Sequence, residues 1–356
     1  MIGRAALALC TLLFALATGV PAQARSFELG QSALLTSSER MRIFAIGRAM
    51  QDGAAFRVQT ELLRADLVRQ GFYHEGGPPE IVDRRFSIQP QAGYDPNVNG
   101  GLHVWRLYLG DWVLEADEAS RAQPGWTLGA TASASGRMAW AQGRFVSAEI
   151  SAGGAWAPEL DIGRSFLRVE ACSRNQVTGW TFLDLCAEAI RSDRRLGRSE
   201  TSQVGAELGH LFAAPGPNPG SYHEIRGGLG RRFLSERDQT IATAGWTALW
   251  DGFATDLALT LGEPLGETFA MRHRLNGEIR WRMLGRSSAL SLWHEGARGG
   301  MFLGQMREDQ SYGITLAQTV TPQMSISLGA MRNASTIDFY SYSQILFSVN
   351  FAPLEF

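Results

Sequence analysis

Apolar and polar residues alternate through most of this chain, nowhere more cleanly than at its end. In YSYSQILFSVNFAPLEF, Tyr340–Phe356, residues Ile345, Phe347, Val349 and Phe351 share one parity. Gln344, Leu346, Ser348 and Asn350 occupy the other. Successive strand side chains point to opposite faces, so this spacing predicts a strand with one oily side. An uncovered edge of that kind invites association, so a partner strand must close it.

The same period recurs from about Arg85 onward. In Arg274–Leu284, Leu275, Gly277, Ile279, Trp281 and Met283 fall on one face, and Asn276, Glu278, Arg280 and Arg282 on the other. Phe253–Leu261 and Met324–Leu328 repeat the pattern. Trp126–Trp140 sets Leu128, Ala130, Ala132, Ala134 and Met138 against Thr127, Thr131, Ser133, Ser135 and Arg137.

A soluble sandwich also alternates, but three features favour a transmembrane barrel. The runs extend over about 11 to 16 residues, against roughly 5–6 for an ordinary strand. Charges such as Arg280 and Arg282 sit mid-strand on the polar face, which suits a wet lumen. Trp126, Trp140, Trp156, Trp246 and Trp250 lie near strand ends, where interfacial girdles form.

Connections alternate in length as well. Short ones are expected at Ala141–Gly143, Asp251–Gly252, Gly285–Arg286 and Thr321–Gln323, with a Pro/Gly-rich exception at Ala214–Gly220. Longer ones are expected at Asp117–Gly125, Arg191–Ser202, Gly262–Glu267 and His294–Gln310. Short periplasmic turns and longer outer loops are the outer-membrane arrangement, and termini on one side require an even strand number. The fold class is therefore all-β: an antiparallel up-and-down transmembrane barrel behind a short N-terminal helical segment. Counting from about His103 gives about 14 strands; Phe86–Tyr94 would be an extra, and 16 is the alternative. Pro353 cannot donate to a ladder. Phe351 is thus expected to end the membrane-facing row, the competing reading being a strand that runs on to Phe356.

Composition agrees. Of 356 residues, 45% are hydrophobic and only 19% charged, with 40 Gly, 18 Phe and 10 Trp, as turn-rich and aromatic-rich barrels require. A net charge of −2 and no basic tail argue against nucleic acid as a partner. Lys is absent and all 33 basic residues are Arg, which reads as codon usage rather than a need for guanidinium.

Residues 1–24 read as a signal peptide: one Arg, an apolar run over Ala5–Ala17, and Ala22-Gln23-Ala24 as the cleavage site. Cys10 lies too early, behind the large Leu9, to be a lipid-modified residue. The chain is thereby assigned to the outer membrane of a Gram-negative cell, with lipid, lipopolysaccharide and the barrel assembly machinery as partners. Residues 25–80 form a periplasmic helical segment and linker, and 81–356 the barrel. Within the segment, Met41, Phe44, Ile46 and Met50 follow Ser37 or Ser38 as N-cap at near-helical spacing. Asp52-Gly53 breaks this helix, and Phe56, Leu62, Leu63, Leu67 and Phe72 continue the pattern to Gly71. This helix pair is either a cap on the periplasmic mouth or a docking module.

Cys172 and Cys186 flank a turn centred on Gly179, share parity with Arg168, Glu170, Asp184 and Glu188, and are expected to form a structural disulfide facing the lumen. No metal-ligand spacing accompanies them, and no cofactor is implied. The six His are scattered, none in H-E-x-x-H, and no G-x-S-x-G occurs, so no catalytic residues are named and no enzyme is expected. Lumen-facing candidates are Glu149, Arg168, Glu170, Glu224, Arg226, Glu278, Arg280 and Arg282. Their mixed sign implies a hydrated interior with internal ion pairs, not ion selectivity.

Three stretches resemble the C-terminal barrel domain of the surface lipoprotein assembly modifier family: SIQPQAGYDPNVNGG (Ser87–Gly101), GDWVLEADEASRAQPGW (Gly110–Trp126) and NASTIDFYSYSQ (Asn333–Gln344). The resemblance implies a 14-stranded barrel that helps surface lipoproteins cross the outer membrane, with such lipoproteins as clients. The family's helical repeats are not matched, since the segment before the barrel has room for one helix pair, and no functional residues carry over. The readings are thus lipoprotein translocation or display, a passive porin or small-solute channel, and a structural or adhesive barrel. An open lumen favours the channel; a lumen blocked by a loop or by the helices favours translocation.

Overall fold

The computed structural model describes residues 29–53, 57–109, 111–215, 220–235 and 237–356. The expected signal peptide lies outside the described residues. Residues 29–32 are helical and lead through a short 3-10 turn at Ala33–Leu35 into helix α1 (Glu39–Gln51), then helix α2 (Arg57–Arg69). Ser38 caps α1 by accepting a hydrogen bond from the Met41 amide at 3.2 Å, and Asp52 ends it.

The strands are β1 (Glu80–Asp95), the small hairpin of β2 (Arg106–Leu109) and β3 (Trp112–Glu115), and then an unbroken meander. The meander runs β4 (Gly125–Ala141), β5 (Arg144–Ala157), β6 (Ile162–Thr178), β7 (Thr181–Arg194), β8 (Gly197–Ala213), β9 (Ser221–Phe233) and β10 (Asp238–Trp250). It continues through β11 (Phe253–Gly262), β12 (Ala270–Met283), β13 (Arg286–Phe302), β14 (Gln305–Thr321), β15 (Met324–Ser335), β16 (Tyr342–Phe351) and the two-residue β17 (Leu354–Glu355). Each strand from β4 to β16 pairs antiparallel with its sequence neighbour, β1 pairs with β4, and β16 returns to β1. The result is a closed antiparallel barrel of 14 strands, because β17 only prolongs β16 along β1.

The total matches the expected number, but the first strand is different. It is Glu80–Asp95, while His103 lies in the connection that follows it. Pro90 and the charged Asp83-Arg84-Arg85 obscure the alternation of β1. The ladder survives because β4 pairs with it from Glu80 to Asp95 across one irregularity at Ile81/Asp83.

The termini and the short turns share one end, here the terminal end; the other is the loop end. Turns at Ala141–Gly143, Gly179, Asp251–Gly252, Leu284-Gly285 and Thr321–Gln323 lie at the terminal end. Two expected long loops are instead tight hairpins. Strands β7 and β8 pair up to Arg194–Gly197, and β13 and β14 up to Phe302–Gln305. The charges in Arg191–Ser202 and His294–Gln310 mimic loop polarity while sitting on strands that continue past the apolar band. Residues 96–124 form the long connection.

The closing seam resolves the Phe351/Phe356 alternative. Strand β16 ends at Phe351, and its register with β1 runs from Gln91↔Asn350 to Tyr94↔Phe347. Beyond Pro353 the register slips by one and resumes at Ile88↔Leu354 and Ser87↔Glu355. The Gln89 side chain donates to the Phe351 carbonyl at 3.1 Å in the interruption, where Pro90 and Pro353 supply no amide. The Phe356 amide donates to the Phe86 carbonyl at 3.0 Å, and the two rings lie 5.8 Å apart. Pairing with β15 thus stops at Phe351, while pairing with β1 reaches the last residue.

Outward rows are apolar and exposed: Leu229 is 69% exposed and Ile345 65%. Aromatic belts bound them. At the terminal end of β8–β11, Phe212, His223, Trp246, Trp250 and Phe253 form a chain of ring contacts with centroids 5.3–6.3 Å apart. At the loop end Tyr94, Trp126 and Phe347 cluster across β1, β4 and β16. On β12 the outward row runs from His273 to Trp281, about 27 Å of strand at roughly 3.4 Å per residue. Tilted by about 40°, that projects to roughly 20 Å, close to the apolar height of a membrane barrel.

Candidate functional site

The inner face changes character along its height. In the middle it is polar and charged: Glu149 on β5, Arg168 and Glu170 on β6, Asp184 and Glu188 on β7, Glu224 and Arg226 on β9, Asp256 on β11 and Glu278 on β12. At the terminal end the same inward rows turn apolar. Phe182, Leu211, Tyr222, Leu249 and Ala254 become a buried collar on β7–β11. Each lies an even number of residues from a polar inward neighbour, as Phe182 does from Asp184 and Tyr222 from Glu224.

The collar exists because α1 fills it. Met41, Phe44, Ala45 and Ile46, with Leu29, Ala33 and Leu35 from the preceding turn, pack against it as one core. Phe44 stands edge-on to Trp180 and Tyr222 at 4.8 and 5.2 Å. Helix α1 is thus enclosed in the barrel mouth, and Phe44 is 2% exposed.

Above the collar a polar clasp fixes the helix. Arg40 donates to both carboxylate oxygens of Asp184, at 2.9 and 2.6 Å, and lies 4.2 Å from the Phe182 ring centre. The Ser38 hydroxyl donates to Glu224 at 2.9 Å. Glu39 accepts from Arg137 of β4 and, at 2.7 Å, from Gln70. Burial opposes the charge on Glu39, but the hydrogen bond and charge of Arg137, the Gln70 amide and nearby Arg42 outweigh it and hold the carboxyl below its ordinary value. Arg42 pairs with Asp66 of α2 at 2.7 Å, and the Gly143 amide donates to the Gly71 carbonyl at 3.1 Å, joining the helices to the β4–β5 turn.

A cavity of about 550 Å³ lies above the clasp, lined by Arg168, Glu170, Glu224 and Arg226 among the candidates together with Arg40, Asp184, Glu188 and Asp256. Arg168 bridges Glu170 and Glu188, both at 2.6 Å, and Arg226 sits 3.3 Å from Asp256 and 3.9 Å from Glu207. Glu149 registers with Glu170, Glu278 pairs with Arg280 and accepts from Ser291 at 3.0 Å, and Arg282 is exposed at the terminal end of β12. These last four do not line the cavity. Cys172 and Cys186 face each other in register and are joined by a disulfide beside Glu170.

A second cavity, about 780 Å³, lies at the loop end and is lined by Asp95, Arg164, Arg194, Arg307, Asp309 and Tyr342 among others. The start of the 96–124 connection folds into it. Arg194 donates to the Asn97 carbonyl at 2.7 Å, and His103 stacks on Tyr342 at 4.5 Å. Among the described residues no group of His, Cys, Asp and Glu is arranged to hold a metal ion.

Sequence reasoning missed the collar and the clasp. The parity of Phe182, Leu211 and Tyr222 was readable: an inward row that turns apolar at a strand end requires something apolar inside. The partnership of Arg40 with Asp184 had no signal, because pattern along a chain does not specify which helix turn meets which strand.

No family model matches the chain, and no curated protein does. Solved structures with a similar outline include the outer membrane protein OpdK of Pseudomonas aeruginosa, at 10% identity and TM-score 0.41, covering 78% of this chain and 100% of that one. OprD of the same organism aligns at 7% identity and TM-score 0.40 over 77% of this chain and 94% of its own. OccAB2 of Acinetobacter baumannii aligns at 7% identity and TM-score 0.39 over 78% and 99%. Likenesses of this degree carry no functional argument.

Proposed function

We propose that the chain is an outer-membrane channel for small polar solutes, with its termini in the periplasm and its N-terminal helix pair as a stopper. The observation that supports this most is the inner surface itself. It is polar and charged through the middle, as a water-filled path requires, and apolar where α1 seats and where Val98 of the 96–124 connection packs on Ala157 and Ile162. Cavities of about 550 and 780 Å³ are of the size that small molecules occupy. Passage requires the clasp at Arg40, Glu39 and Ser38 to release.

The mouth filled by α1 and the loop end entered by the 96–124 connection favour, by the criterion of a blocked lumen, a second reading, lipoprotein translocation or display, in which the helices gate a route for a client. Sugar uptake into proteoliposomes separates the two. A double substitution Arg137→Ala, Asp184→Ala cuts two of the clasps without touching the collar. Fast uptake of mono- and disaccharides by this variant, and slow uptake by the parent, is the expected result. Uptake no faster than protein-free vesicles, in both, would remove the channel reading and leave the display reading standing.

A further inference from the structure

Toward the loop end of the outward rows one arginine stands among apolar and aromatic side chains. Arg332 of β15 is exposed, points away from the lumen, and has neither an ion pair nor a side-chain hydrogen bond among the described residues. Two other outward arginines toward the loop end are neutralised within the chain: Arg191 by Asp193 at 2.7 Å, and Arg231 by Asp238 at 3.2 Å. An unpaired guanidinium beside hydrocarbon is costly, which calls for a counter-charge from outside the chain.

The surroundings of Arg332 match such a ligand. Its cross-strand row reads Leu275, His294, Tyr312, Arg332, Ser343 from β12 to β16. His294 and Tyr312 stack at 4.8 Å, and His273 lies 5.0 Å from His294. Tyr312 and Ser343 flank Arg332 with hydroxyl donors on either side. The next row toward the terminal end is Gly277, Leu292, Ile314, Ala330, Ile345. Gly277 and Ala330 leave the surface indented between leucines and isoleucines, and an apolar groove of about 1060 Å³ opens there, bordered by Arg332 and Ser343.

We propose that this groove is a binding site for a phosphorylated, multiply acylated glycolipid of the outer leaflet: a phosphate on Arg332, Tyr312 and Ser343, and acyl chains over Gly277 and Ala330. A cation and hydroxyls at one end of an apolar trough complement an anionic head on hydrocarbon tails. The outer leaflet is specified by position, since Arg332 lies at the loop end, away from both termini; this part rests on the membrane orientation proposed above.

The test is native mass spectrometry of the full chain, purified in detergent and titrated with bisphosphorylated hexa-acyl lipid A. Phosphatidylglycerol serves as the comparison lipid. The variants are Arg332→Ala, which removes the counter-charge, and Ala330→Trp, which fills the trough. One lipid A adduct on the parent, weakened at least 10-fold by each substitution, is expected, with phosphatidylglycerol held less tightly. Equal adduct populations in parent and variants would overturn the site, and phosphatidylglycerol bound as tightly as lipid A would overturn the glycolipid assignment. Placed on the Arg137→Ala, Asp184→Ala background, Arg332→Ala leaves the fast sugar uptake of that background unchanged, which separates failure here from failure of the channel reading. Heat-modified migration on electrophoresis confirms that each variant is folded.

Discussion

Arg40 and Asp184 stand 144 residues apart in sequence and meet through two hydrogen bonds inside the barrel mouth. Both side chains are largely removed from water, at 9% and 15% exposure. Removing one partner of such a pair leaves an uncompensated charge, which costs about 3 kcal/mol. Asp184→Ala is therefore expected to loosen α1 while sparing the barrel. Hydrogen exchange checks this: amides of Glu39–Gln51 should lose protection and those of β6–β8 should keep it.

Acid should act on the same clasp through Glu39. Its carboxyl is held below the ordinary value, so the charged form stabilises the seated helix at any pH above that ordinary value, near 4.5. The contribution fades as pH falls through the depressed folded value, since the seated helix then binds a proton that the free one already holds. Exchange protection of α1 measured from pH 7 down to pH 3 should drop at the acid end in the parent. In Glu39→Gln it should be lower throughout and flatter, and an identical profile would exclude Glu39 as the titrating group.

How much of this was legible in the sequence depends on the period involved. Parity identified the inward Arg168, Glu170, Glu224 and Arg226 that line the central cavity, and the outward rows led by Leu275 and Ile345. Two kinds of residue escaped. Pro90 and Asp83 hid β1 because a strand can carry a proline where its outer partner is missing. Arg191 and Arg198 read as loop because polarity follows solvent, and hairpins that rise beyond the apolar band are wet on both faces. The helix pair was visible from Ser38 and the Met41, Phe44, Ile46 spacing. That its first helix sits inside the barrel follows only from the collar of Phe182, Leu211 and Tyr222, which assembles from three strands.

The last three residues complete the barrel's weakest seam. With registered pairing limited to Gln91–Tyr94 and Ser87–Ile88 of β1, the Phe86–Phe356 contact is a large share of what holds its terminal end. Phe356→Ala should cost about 1 kcal/mol, the scale of an aromatic pair. Deletion of Leu354–Phe356 should cost more, because two registered pairs go with it. Urea titration followed by the heat-modified gel shift gives both midpoints, and unchanged midpoints would mean the seam closes without the tail.

In the proposed channel, α1 is a stopper in an otherwise water-filled barrel. Single-molecule current across a planar bilayer addresses this directly, comparing the parent with Arg137→Ala, Asp184→Ala at neutral pH. The prediction is a parent that is closed with rare brief openings and a variant that conducts steadily. A parent as open as the variant, or a variant as silent as the parent, would contradict it.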